Sequence, residues 1–137
     1  MNEIDQVIAP LFARSPFIDL IVVAVLAGLG EELLFRGVIQ PFLSGFAGTA
    51  LALLMTSLLF GLLHLVTPTY ALIAAIFGLY LGGLMISTGE ILVPITAHAL
   101  YDMVALGLLR ERGRRGHLKD QSLGREGDGN DSTDTPQ

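Results

Sequence analysis

The chain has 137 residues, 52% of them hydrophobic and 15% charged, with no Cys and no Trp; an average soluble domain carries about 25% charged residues. The charges crowd at one end: 12 of the 21 fall in residues 110–137, leaving a 109-residue body too poor in charge to cover itself with a soluble surface. This excludes an ordinary soluble enzyme and a nucleic-acid binder, which would need a basic face, and the lack of Cys excludes disulfides and thiolate chemistry.

In chain order, residues 1–16 read as an N-terminal interfacial segment. MNEIDQ is acidic where a signal peptide would be basic, while Ile4, Val7, Ile8, Leu11 and Phe12 fall on helical spacing. Residues 17–109 then hold four stretches of roughly the 20 apolar residues that cross a bilayer as a helix: Phe17–Leu34, Gly48–Val66, Tyr70–Ile86 and Ile91–Leu109. Pro41 and Gly45 mark the first join, Pro68 the second and Gly89 the third. The expected fold is all-α: a polytopic membrane bundle of about four transmembrane helices. The tail, residues 110–137, opens on the basic run Arg110–Arg115, read as a stop-transfer anchor. It turns polar, and residues 116–137 are expected to be disordered. The positive-inside rule puts the C-terminus, and with four spans the N-terminus, in the cytoplasm. The loops at 41–47 and 87–90, which then lie outside, carry no Lys or Arg.

Ionisable groups at membrane depth are expensive and mark functional sites. Here they are Glu31 and Glu32 near the far end of the first span with Arg36 just beyond it, His64 on the second, and His98 and Asp102 on the fourth. Arg36 follows Glu32 by four residues, on the same helical face, so Glu32 is expected to hold Arg36, leaving Glu31 free to act as a base. A carboxylate and a His facing one water make a general-base pair; a second His with a polar partner can stabilise an oxyanion. The rest read as structural. Phe60 is packing, Gly78, Gly82 and Gly83 allow close helix approach, and Tyr70, Tyr80 and Tyr101 are interface or packing residues. Ser44, Ser57 and Ser87 lack a His at helical spacing.

The ordered set Glu31-Glu32-x-x-x-Arg36, Phe60-x-x-x-His64 and His98-x-x-x-Asp102, on separate hydrophobic helices, resembles the CPBP family. These are the CAAX-protease and bacteriocin-processing membrane endopeptidases, also called type II CAAX prenyl endopeptidases or Abi proteins. The likeness covers about Phe17 to Leu109. It implies a multi-pass intramembrane endopeptidase of a bacterial plasma membrane, acting on a membrane-embedded or lipidated protein. It also implies that Glu31 and His64 activate water, that His98 and Asp102 stabilise the oxyanion, and that Glu32 and Arg36 support the site. No cofactor is implied. The best-studied members carry Asn where this chain has Asp102, so Asp102 would be protonated or would orient His98. They also have about eight spans, against four here, so the chain is a minimal core, a fragment, or a unit completed by self-association.

Three other readings fit some of these residues. A zinc peptidase would use His64, His98 and a Glu, although no HExxH is present. An aspartic intramembrane protease would use Gly28-Leu29-Gly30-Glu31 and Tyr101-Asp102, with Glu in place of the acid and the order reversed. A non-catalytic scaffold or small proton-coupled transporter would also bury Glu and His. A ruler of 1.5 Å per residue places Glu31 and His98 at similar depths but His64 near the cytoplasmic end, so straight upright helices do not assemble the site.

Overall fold

A computed structural model describes residues 15–129. Among the described residues the chain is helical, with no strand. Helix α1 (Phe17–Glu32) runs into a π-helical stretch (Leu33–Ile39), which runs into α2 (Gln40–Ala47). Helices α3 (Thr49–Leu63), α4 (Pro68–Thr88) and α5 (Leu92–Gly129) follow. Gly48 and Gly89 take positive φ values of 79° and 70°, which glycine adopts without steric cost.

Residues 21–103 form one compact unit. The other includes the described residues 15–20 and 104–129, in which Arg110 Nε donates to the carbonyl of Ser15 at 3.1 Å. The interfacial helix expected in residues 1–16 lies, but for its last two residues, outside the described residues, as do residues 130–137.

Three boundaries differ from expectation. The loop expected at 41–47 is helix, and the break comes at Gly48. Pro41 is tolerated because a π-turn precedes it: the N–H of Gln40 reaches back five residues to the carbonyl of Phe35. This wider turn relieves the clash of a proline ring with the preceding turn. Helix α3 stops at Leu63, and His64 caps it with φ −99° and ψ 21°. Helix α5 does not end at Leu109; it stays helical to Gly129, where disorder was expected from 116.

By length and composition, α4 and the Leu92–Gly116 part of α5 can cross a membrane, and α3, at 15 residues, is a shorter apolar helix. The burial pattern combines a small apolar core, including Leu20, Phe35, Phe60 and Leu81, with several buried polar groups and many exposed large apolar ones. Buried residues include Glu32, Arg36, Gln40, Thr56, Ser57 and His98, while Leu26, Leu54, Leu58, Leu72 and Ile76 stand exposed. Thr56 and Ser57 satisfy their hydroxyls on the carbonyls of Ala52 and Leu53, one turn back.

Close approach between helices is made by small residues. On α4, Ala74, Gly78 and Gly82 recur every fourth position and are buried. A Cβ on Gly61 would lie 2.6 Å from the carbonyl oxygen of Ala71, and one on Gly28 3.0 Å from the amide nitrogen of Ala99. Gly78 and Gly82 thus do as expected, whereas a Cβ on Gly83 would meet nothing within 4 Å.

Candidate active site

The site starts from the α1–π junction. Arg36 Nη1 donates to Glu32 Oε1 at 2.9 Å, with both side chains fully buried; this is the pairing that the four-residue spacing predicts. The same oxygen accepts from His98 Nδ1 at 2.8 Å. Arg36 Nη2 donates to the carbonyl of Gly78 at 2.7 Å, which the absence of a side chain on Gly78 leaves open to approach. One turn further, Gln40 Nε2 reaches the carbonyl of Gly82 at 3.4 Å. The guanidinium also lies 5.1 Å from the Phe60 ring centroid and 5.7 Å from that of Phe35, so aromatic faces shield the charge that Glu32 balances.

Glu31 points elsewhere. Its Oε2 lies 3.6 Å from His64 Nε2 and 3.9 Å from His98 Nε2, and His98 Nε2 lies 3.6 Å from Asp102 Oδ2. These separations are too long for direct hydrogen bonds. Glu31 Oε2 is buried and has no hydrogen-bond partner among the described residues. A cavity of about 40 Å³ opens beside the group, lined by His64, His98, Asp102, Tyr70, Phe60 and Phe77 among others; a water needs only about 10–15 Å³.

The partners of the two imidazoles fix their protons. His64 Nδ1 is 2.8 Å from the carbonyl oxygen of Phe60, which can only accept, so Nδ1 carries the hydrogen and Nε2 faces Glu31. His98 Nδ1 donates to the Arg36-paired carboxylate in the same way, and its Nε2 faces the cavity.

Of the six residues singled out in the sequence, His64, His98 and Asp102 line the cavity, Glu31 Oε2 lies within 4 Å of both imidazoles, and Glu32 and Arg36 support His98 from behind. His64 reaches the site from the C-terminal cap of α3, which ends at Leu63. Two contributors were not recognised from sequence. Phe60 accepts from His64 through its carbonyl, stacks on that ring at 4.4 Å and meets His98 edge-on at 5.9 Å; its place one turn before His64 at a helix end was the available signal. Gln40 continues the Glu32–Arg36 stripe at the same spacing. Ser57 is committed to Leu53, and Ser44 and Ser87 do not line the cavity.

As for a metal, no group of three or more His, Asp and Glu side chains among the described residues is arranged to hold one. The donors nearest to such a role are the Nε2 atoms of His64 and His98 and Oε2 of Glu31.

A family model, Type II CAAX prenyl endopeptidase Rce1-like, matches residues 13–104, more than half of the chain. The chain belongs to this family. No curated protein and no solved structure matches it. The segment matched by the Rce1-like family contains every residue of the site described above.

Proposed function

We propose that this chain is an intramembrane endopeptidase of the Rce1-like kind, hydrolysing a peptide bond in a prenylated CAAX-type or other membrane-associated protein. The reading rests on the convergence of Glu31 Oε2 with His64 Nε2 at 3.6 Å beside a water-sized cavity. A water lying off the line between them hydrogen-bonds to both. Its oxygen attacks the scissile carbonyl carbon while one proton passes to Glu31. The carbonyl π electrons move to oxygen, giving a tetrahedral anion. Collapse re-forms the C=O bond, breaks the C–N bond and sends the Glu31 proton to the leaving nitrogen. His98, held by Glu32, donates from Nε2 to the oxyanion when protonated, and Asp102 at 3.6 Å steadies that imidazolium. Arg36 holds Glu32 in place for this task through their 2.9 Å ion pair.

The site lies in a multi-pass membrane protein with cytoplasmic termini. The apolar exteriors of α3 and α4 face lipid, and a second copy or the substrate helix covers part of the remaining wall.

The test is cleavage of a farnesylated CAAX peptide by the full chain in proteoliposomes. Glu31→Gln is isosteric and removes the base; its kcat falls by about 10²–10⁴. A variant that cuts as well as the native chain removes Glu31 from the base role.

A further inference from the structure

The cavity is rich in acceptors and poor in donors. His64 and His98 both spend the Nδ1 hydrogen away from it, on the Phe60 carbonyl and on Glu32. As neutral rings, His64 turns a lone pair on Nε2 toward Glu31 Oε2, and His98 turns one toward Glu31 Oε2 and Asp102 Oδ2. A protonated His98 supplies one N–H, and an ionised Asp102 supplies none. The tetrahedral anion of the proposed reaction needs more than a single donor, because oxyanion sites work through several dipoles fixed in advance.

Two phenols line the same cavity, Tyr70 and Tyr101. Tyr101 lies against Phe77, with ring centroids 4.4 Å apart. Tyr70 is better placed. It sits one turn before buried Ala74, on the stripe that continues to Gly78 and Gly82. Its ring centroid is 6.4 Å from that of His64, and it shares the cavity lining with His98 and Asp102. Its backbone is anchored as well: Thr67 Oγ1 accepts from the Tyr70 amide at 3.2 Å, and Pro68 opens the helix. These constraints hold the first turn of α4 in place beside the site.

We propose that the Tyr70 hydroxyl is a catalytic donor, hydrogen-bonding the oxyanion together with His98. It keeps its proton throughout, so the bond changes and proton transfers of the hydrolysis are unaltered. The proposal rests on the peptidase reading.

The experiment measures kcat and KM for a farnesylated CAAX peptide with the full chain in proteoliposomes. Four variants are compared with the native protein: Tyr70→Phe, Tyr80→Phe, Glu31→Gln and the double variant Tyr70→Phe/Asp102→Asn. Tyr80 is on the same helix but borders a separate groove with Leu84 and Leu92. Tyr70→Phe lowers kcat by about 10²–10³ with KM within about threefold, the range for loss of one oxyanion donor. Tyr80→Phe stays within about twofold. Asp102→Asn brings an N–H beside His98, so the double variant recovers at least about tenfold of the Tyr70→Phe loss, a rescue to which a folding defect would not respond. A Tyr70→Phe kcat within about threefold of native, with Glu31→Gln inactive, overturns the Tyr70 role and leaves the peptidase reading intact. So does a change confined to KM, or a loss that Asp102→Asn does not relieve. An active Glu31→Gln overturns both.

Discussion

Glu32 and Arg36 bear the heaviest electrostatic load, because a single carboxylate oxygen holds a guanidinium and an imidazole, all buried. Removing one partner strands a charge in the interior. Glu32→Gln is therefore expected to destabilise the protein by about 3–5 kcal/mol, read from thermal unfolding in detergent. Glu31→Gln, at a side chain one-third exposed (34%), is expected to shift stability by less than about 1 kcal/mol while lowering kcat by about 10²–10⁴. Similar losses of stability for the two would contradict the division of labour between adjacent carboxylates. Arg36→Lys tests the same point geometrically. One ammonium cannot reproduce a planar fork that engages both Glu32 and the Gly78 carbonyl, so the lysine variant should melt below the native protein. Most of this was legible in the sequence, since i, i+4 spacing on a helix pairs side chains directly. The part played by Phe60 was not. Its chemical contribution is a backbone carbonyl, which every residue has, and only the helix ending at Leu63 frees that carbonyl to accept from His64.

Among the elements, α3 and the π-helical stretch decide whether the three motifs can meet. Pro41 and Gly45 read from sequence as breakers between spans. The i→i−5 turn before Pro41 instead carries the helix through both. That turn also keeps Glu32, Arg36 and Gln40 on a line facing Gly78 and Gly82 of α4. Propensity gives no warning of such a turn, because it is a compromise between local hydrogen bonding and tertiary contacts. The apolar run of the second span extends to Val66, so the stop at Leu63 was likewise hidden. At Gly61 the backbones of α3 and α4 approach so closely that a methyl would press on the Ala71 carbonyl and on Ala75 Cβ at 2.7 Å. Backbone must move to admit it. Gly61→Ala is expected to cost about 1–3 kcal/mol and to lower activity by spreading His64 from Glu31; Gly83→Ala, in open space, is expected to do neither. Equal melting temperatures and rates for the two variants would contradict the close crossing.

At the scale of the molecule, Glu32, Arg36, Gln40 and His98 are buried while many large apolar side chains stand exposed, an arrangement that favours lipid as the surrounding solvent. The sequence conveyed this through its charge distribution, and it conveyed the all-helical class through uninterrupted apolar runs. It did not convey how the helices cross, because lengths alone describe upright cylinders. The account also makes a prediction about metals: with water activated by Glu31 and His64, peptide cleavage should survive prolonged treatment with a strong chelator. Loss of activity restored by added zinc would instead assign the imidazoles to a metal. The central claim is that Glu31 and His64, from different helices, act on the same water, and a double-mutant cycle addresses it most directly. With kcat/KM measured for Glu31→Gln, His64→Gln and the double variant, each single change should lose about 10²–10⁴, and the double variant should be about as slow as the worse single one, as groups acting as a unit behave. Losses that multiply, or a single variant that loses nothing, would contradict the shared water.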